Sequence, residues 1–332
     1  MIRNYHLDNT KFVLIFFVIL GHSLARLGGT PVCRAVDASV YFFHMPLMIF
    51  VSGYFSKKTD KKHFHQSIVR LLEPLLIFNV IHIVIRYLMD EPLRWDLVLL
   101  VPNWSLWYLL SLIFWRISIE YVFAKITPPR LILLSIAVGL VAGFVTVGHP
   151  LSFQRTCSLL PFFVAGYCVG RNRMLTQVYN RMPPIIAILL LAALPFCTYY
   201  INFPFKIMLE GVEPYHKFGY PLWLTAFYRM ALYIISGVAS ICVLRLVPQR
   251  KIVWISDQGK NTLLYYLYHT LIIYGLISIN RHFLILPKTF IPVMGYALFN
   301  IVLIWALIQI NFFRIIPHLI SRYFLNKIGK DI

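Results

Sequence analysis

Ten runs of mostly apolar residues follow one another along this chain, with only brief connectors between them. Each approaches the roughly 20 residues that a helix needs to cross a bilayer's hydrocarbon core. They lie near 11–28, 37–56, 66–89, 104–123, 130–148, 155–170, 184–202, 221–244, 262–280 and 289–313. Of the 332 residues, 59% are hydrophobic and 13% charged. A soluble globule of this size must cover itself with polar side chains and has no room to hide so many apolar ones. Disorder needs low hydrophobicity and is excluded as well. The expectation is an all-α polytopic membrane protein with about ten transmembrane helices, forming a single domain over 1–332 with no soluble domain appended. The basic opening, Met1–Lys11, followed by an apolar run, has the outline of a signal peptide. Lys11 and His22 interrupt that run, and Leu27-Gly28-Gly29 is not a small-x-small cleavage site, so the segment is read as a retained helix.

The net charge is +19. The basic residues sit between apolar runs and not in one stripe, so the reading is topological and no nucleic-acid partner is expected. With the N-terminus inside, the inner segments carry Arg3, Lys57, Lys58, Lys61, Lys62, Lys125, Arg130, Arg171, Arg173, Arg181, Arg245, Arg250, Lys251, Lys260, Arg314, Arg322, Lys327 and Lys330. The outer segments carry only Arg26, Arg34, Arg94, Lys206, Lys217, Arg281 and Lys288. This asymmetry predicts both termini in the cytoplasm and an even number of crossings. The five cysteines are odd in number and lack a C-x-x-C, so no disulfide framework and no zinc site are expected.

Charged groups are expensive in hydrocarbon, which makes each one inside a span a candidate for function. Lys11 and His22 are eleven residues apart on the first run. Eleven steps of about 100° bring both onto one helix face, about 16 Å apart along the axis. Asp8 precedes Lys11 by three residues and can pair with it. Counting depth along alternating spans puts His22, His44 and His82 at one outer level, with Arg155 and Arg229. Lys11, Arg70, Arg116 and His269 fall at an inner level. The pattern is a cationic inner mouth below a chamber lined by His and Arg. Plainer readings stand beside these: His82 and His269 as interhelical hydrogen-bonding groups, Arg86 and Arg116 as snorkelling side chains, and Trp104, Trp107 and Trp115 as interfacial belt residues. Paired carboxylates, a G-x-S-x-G elbow and a phosphate-binding Gly-rich loop are all missing. No metal is expected. A base in the outer chamber is then most economically a histidine.

Leu7-Asp8-Asn9-Thr10-Lys11 leading to Gly21-His22 resembles the opening of the acyltransferase-3 family of multi-spanning membrane O-acyltransferases. The likeness continues through Phe43-His44-Met45-Pro46-Leu47 with Val51-Ser52-Gly53-Tyr54-Phe55, and through Arg70-Leu71-Leu72-Glu73-Pro74. It extends to Leu106-Trp107-Tyr108-Leu109, to Arg155 with Pro161-Phe162-Phe163 and Gly166-Tyr167, and to Gly259-Lys260-Asn261-Thr262 with Tyr265 and His269. Together these motifs are similar to the fucose 4-O-acetylase-like branch. The resemblance implies transfer of an acyl group, usually acetyl, from cytoplasmic acyl-CoA as co-substrate, with no bound cofactor. The implied acceptor is a sugar hydroxyl on a surface polysaccharide, lipopolysaccharide or lipid-linked glycan, and the implied location is a bacterial inner membrane.

On that resemblance His22 is the expected general base, with His44 beside it as a second catalytic histidine. Lys11, Arg70 and Ser52 are expected at the acyl-CoA. Arg155, Trp107, Asn261 and His269 are expected to position acceptor or acyl group. Asn261 also reads as a helix N-cap, and Ser52-Gly53 as a small-residue helix contact. A glycan or solute transporter is the competing class, with Pro46, Pro74, Pro161 and Pro195 as its candidate helix breaks. The sequence leaves a homodimer open.

Overall fold

The computed structural model describes residues 4–89, 101–147, 150–172, 174–283, 288–311 and 313. Arg3, Arg94, Arg173, Arg314, Arg322, Lys327 and Lys330, the side chain of Arg281 and the end of the last apolar run lie outside the described residues. Among the described residues the fold is all-helical, without a strand. The α-helices are α1 (Tyr5–Leu27), α2 (Pro31–Tyr41), α3 (His44–Phe55), α4 (Lys61–Leu88), α5 (Trp107–Tyr121), α6 (Pro128–Val141), α7 (Phe153–Ser158), α8 (Leu160–Asn172), α9 (Leu175–Asn180), α10 (Pro184–Tyr200), α11 (Phe205–Glu210), α12 (Leu222–Leu246), α13 (Val253–Gln258), α14 (Thr262–Phe283) and α15 (Phe290–Gln309). Six helical segments are long and apolar enough to cross a membrane: Tyr5–Leu27, Pro31–Phe55, Lys61–Leu88, Trp104–Lys125, Leu222–Leu246 and Phe290–Gln309. Pro128–Phe144, Pro184–Tyr200 and Thr262–Ser278 are shorter apolar helices.

Among the described residues each of the ten apolar runs is mainly helical, but two are interrupted. The second breaks at Phe42–Phe43 between α2 and α3. Pro46 explains this, because a proline cannot donate to the carbonyl four residues back, at Phe42, and its ring clashes there. Pro161 acts the same way on Cys157 and separates α7 from α8 at Leu159. Pro74 and Pro195, by contrast, lie inside continuous helices.

The first helix is the hub. It packs against α2, α3, α13, α14 and α15, and its start is pinned by buried polar bonds. Asn9 donates to the carbonyls of Pro248 (2.8 Å) and Arg250 (3.0 Å) and accepts from Ser256 Oγ at 2.6 Å. His6 Nε2 meets the Leu244 carbonyl at 2.9 Å. The closest helix pair is α3 with α8. There Gly53 lies against the Phe163 carbonyl, Gly166 against Phe50 and Gly170 against Tyr54, so that a Cβ at any of the three would strike backbone. The outer faces of α10 and α15 expose Ile185, Leu189, Ile291 and Val302, as a lipid-facing surface does. Trp107 and Trp115 are buried in the core, which corrects their reading as belt residues. Beyond the spans, the Asp60 carboxyl caps α4. The His63 backbone N–H and then the His63 ring, both bonded to it, hold it below the ordinary carboxylate range.

Candidate active site

A cavity of about 200 Å³ opens beside the first turns of α1. Lys11, Ser52 and Arg116 supply its polar lining together with Tyr108, Thr262 and Tyr266. The remaining wall is apolar, and Phe55 and Leu263 stand exposed at its mouth. Lys11 bonds Asp8 at 2.9 Å, the pairing expected from their spacing, and its ammonium lies 5.5 Å from the Phe55 ring centre. Ser52 shares a 2.5 Å hydrogen bond with the Tyr108 hydroxyl. The two readings of Ser52-Gly53 are therefore divided between neighbours: the serine lines the cavity while the glycine makes the α3–α8 contact. Arg70, expected at this mouth, is exposed on α4 and does not line the cavity, although Leu71 next to it does. Arg116 lines it instead, with a buried Nε that has no hydrogen-bond partner. Its reading as a lipid-snorkelling residue is corrected accordingly.

Eleven residues along α1 from Lys11 comes His22, half-buried. Its ring centre is 5.0 Å from that of His269. His269 was expected at the inner level, and its position beside His22 corrects that depth. The reason is visible in α14, whose first turns (Thr262, Tyr266) already flank the inner cavity, so that His269 stands further along the helix. His269 Nδ1 is 2.7 Å from the Tyr266 carbonyl and 3.1 Å from that of Tyr265. A carbonyl only accepts, so Nδ1 carries the proton and Nε2 keeps its lone pair. That Nε2 is buried without a partner. His44 repeats the arrangement, with Nδ1 on the Val40 carbonyl at 2.7 Å. His44 lies in electrostatic range of His22.

Tyr266 joins the two regions. It lines the inner cavity, its ring is 5.9 Å from His269, and its hydroxyl donates to the Ser105 carbonyl. Arg155 and Trp107, both expected as positioning residues, meet with the guanidinium 4.5 Å from the indole centre. Arg155 Nε also donates to the Glu210 carbonyl at 3.0 Å. Asn261 sits where the first α14 bonds converge, its carbonyl accepting from Leu264 (2.9 Å) and Tyr265 (3.4 Å). It does not line the cavity, and this geometry is that of an N-cap position.

Other in-span charges have structural partners. His82 Nε2 meets Thr270 Oγ1 at 3.2 Å, and its ring packs on Trp104. Arg86 donates to Asn103 Oδ1 at 2.8 Å. Arg229 is enclosed, bonded to Ser158 Oγ at 3.0 Å and stacked on Tyr215.

Four residues near the histidines were not picked out from sequence. Asp37 and Lys206 form a 2.6 Å ion pair. Tyr41 packs edge-on against His44, ring centres 4.7 Å apart, beneath the Lys206 ammonium at 4.9 Å. Glu210 follows on α11. A signal existed for Asp37, an acid inside an apolar run, but its cation comes 169 residues later.

A cation-lined cavity lies at one end of α1 and a histidine pair toward the other, among helices long and apolar enough to cross a membrane. The family model described as Acyltransferase domain (Acyl_transf_3) matches residues 4–309, and the chain belongs to that acyltransferase-3 family. No curated protein and no solved structure matches it. The chain is thus an integral membrane protein with an acyltransferase domain.

Proposed function

We propose that this protein is an acetyl-CoA-dependent O-acyltransferase of the fucose 4-O-acetylase-like branch. It carries an acetyl group from cytoplasmic acyl-CoA to a sugar hydroxyl of a surface polysaccharide, lipopolysaccharide or lipid-linked glycan. It works in a bacterial inner membrane, crossing about ten times with both termini cytoplasmic, and needs no bound cofactor. The observation that carries this reading is the single axis of α1, with Lys11 in a cavity at one end and the His22–His269 pair eleven residues on. Lys11 and Arg116 suit the phosphates of CoA, since cations bind phosphate through short charge-assisted hydrogen bonds. Arg70, outside the cavity, remains available to the part of the nucleotide that projects from it.

The chemistry is one displacement. The acceptor hydroxyl oxygen attacks the thioester carbonyl carbon while His22 takes the hydroxyl proton. The tetrahedral intermediate collapses with cleavage of the C–S bond, and the departing CoA thiolate takes the proton from His22. His269 orients His22 by accepting an N–H at Nε2, leaving the other His22 nitrogen free as base. Arg155 is the group suited to the oxyanion. His44, whose Nδ1 is engaged by the Val40 carbonyl, turns Nε2 toward the incoming hydroxyl as an acceptor.

The test is CoA release from acetyl-CoA by purified protein, with and without crude surface glycan, for wild type and His22→Ala. Release that rises with glycan and disappears in the variant at normal folded yield supports the reading. Absence of both release and acetyl-CoA binding overturns it.

A further inference from the structure

Four helices supply most of the wall of the inner cavity, each with a stripe of side chains running away from the mouth. On α1 the stripe is Lys11, Ile15 and Val18, and on α14 it runs from Thr262 to Tyr266. The stripes on α3 and α5 run the opposite way, from Met45 to Phe55 and from Tyr108 to Arg116. Contacts across the cavity fix this register. The Lys11 ammonium lies 5.5 Å from the Phe55 ring centre at the mouth, and the Tyr108 and Tyr266 ring centres are 5.6 Å apart at the far end. Val18, Met45, Tyr108 and Tyr266, one from each helix, therefore form a collar where the cavity ends. The histidines come next. His22 follows Val18 by four residues, about 6 Å of helix rise. His44 adjoins Met45, and His269 is three residues beyond Tyr266. None of the three lines the cavity, so a thioester entering at the mouth has to pass the collar to reach His22.

Three members of the collar are held in place. The Tyr266 hydroxyl donates to the Ser105 carbonyl, and the Tyr108 hydroxyl shares its 2.5 Å hydrogen bond with Ser52. Val18 is buried and β-branched, and a helix leaves such a side chain essentially one rotamer. Met45 differs from all three. It is half-buried, unbranched and turns about three bonds, so it alone swings aside without breaking a hydrogen bond or leaving its rotamer set. The gap it vacates has the cross-section of a methionine side chain, which is that of an unbranched chain. We propose that Met45 is the movable member of a collar that selects the acyl group by cross-section: an unbranched acyl group passes, and a branched one of equal carbon count is stopped. This rests on the acyltransferase reading and names the residues that set its acyl specificity.

The experiment gives the purified full chain crude surface glycan with acetyl-CoA, butyryl-CoA or isobutyryl-CoA in turn, and follows CoA release. The two four-carbon donors are isomers, so their ratio reads shape and not size. Wild type should favour butyryl-CoA in kcat/KM by about tenfold or more, the scale on which a pocket discriminates one misplaced methyl group. Met45→Ala and Val18→Ala both widen the collar, and each should lose most of that preference. Intrinsic thioester reactivity is common to all three proteins, so the change of ratio between them reports the collar alone. Equal use of the isomers by wild type overturns the proposal, as does a preference that neither variant alters. Turnover of acetyl-CoA alone, in wild type and in both variants, means that length decides and also overturns it. Val18→Ala is the smaller truncation and keeps the test where Met45→Ala fails to fold. If no donor is bound or cleaved, the acyltransferase reading falls and the collar with it.

Discussion

His22 on α1 and His269 on α14 face each other with ring centres 5.0 Å apart, and the helix carbonyls of Tyr265 and Tyr266 fix which nitrogen of His269 carries the proton. His269 Nε2 is buried and makes no hydrogen bond of its own. An imidazole held by such an acceptor keeps one tautomer and one orientation. His22→Ala should lower kcat/KM by about 10²–10⁴, the usual worth of a general base. If His269 Nε2 accepts the His22 N–H as the reaction proceeds, His269→Ala removes an orienting bond worth about 1.5–3 kcal/mol, so kcat should fall by about tenfold to a hundredfold, with acetyl-CoA KM little changed. A merely structural His269 would leave the pH–rate profile of the residual activity unmoved, and loss of tautomer control should move it. Steady-state kinetics across pH on both variants checks this.

Lys11 and Arg116 approach the inner cavity from different helices, with Arg116 Nε unpartnered. If both meet CoA phosphates, Lys11→Met and Arg116→Met should each weaken acetyl-CoA binding by about tenfold to a hundredfold, since a charge-assisted hydrogen bond contributes about 1.5–3 kcal/mol. The loss should shrink for a truncated donor that lacks the nucleotide, such as S-acetyl-pantetheine. Titration calorimetry in detergent with both donors measures it. Equal affinity of wild type and Arg116→Met for acetyl-CoA would remove Arg116 from the donor site.

Much of this was legible in sequence because a bilayer forces local decisions. An apolar run without water must satisfy its backbone internally and becomes a helix; among the described residues the ten runs are mainly helical, and six helical segments are long and apolar enough to cross. The Asp8–Lys11 pair and the shared face of Lys11 and His22 follow from helix periodicity alone. The break at Phe42–Phe43 also had its signal, in Pro46. Depth was harder. His269 was set too far inward although the run start at 262 coincides with that of α14, because hydropathy gives the ends of a run but not how far one helix is shifted along its axis against another. Asp37, Lys206 and Glu210 were passed over because an isolated acid or lysine near a helix end looks like a solvated group. Only the packing of α11 against α2 brings Lys206 to Asp37.

The α3–α8 contact has a direct stability test. At Gly166 a methyl group would overlap the Phe50 carbonyl, a backbone atom that no rotamer change can move aside. Overpacking of this kind costs about 1–3 kcal/mol and occasionally more. Gly166→Ala should therefore lower the melting temperature in detergent well below that of Gly237→Ala, where nothing lies within 4 Å. Because α3 carries His44 and Ser52, activity should fall in step with any shift of the pair. Equal melting temperatures for the two variants would mean that α3 and α8 separate at little cost.

Asn9 ties α1 to the loop before α13 through two hydrogen bonds and to α13 itself through a third, from Ser256, and its side chain is wholly buried. Asn9→Ala leaves the Pro248 and Arg250 carbonyls and the Ser256 hydroxyl without that partner. The Ser256 bond is buried and the other two are partly buried, and each typical hydrogen bond lost costs about 0.5–1.5 kcal/mol. Folded yield should drop sharply. Asn9→Asp keeps the acceptor for Ser256 but loses both donors and buries a carboxylate against two carbonyls, so it should lower the folded yield at least as far. If the bonds to Pro248 and Arg250 set the axial position of α1, the folded fraction of either variant should show a raised acetyl-CoA KM, since Lys11 lies two residues away on the same helix. An Asn9→Asp protein with wild-type KM and wild-type melting temperature would show that α1 is held in place without this staple.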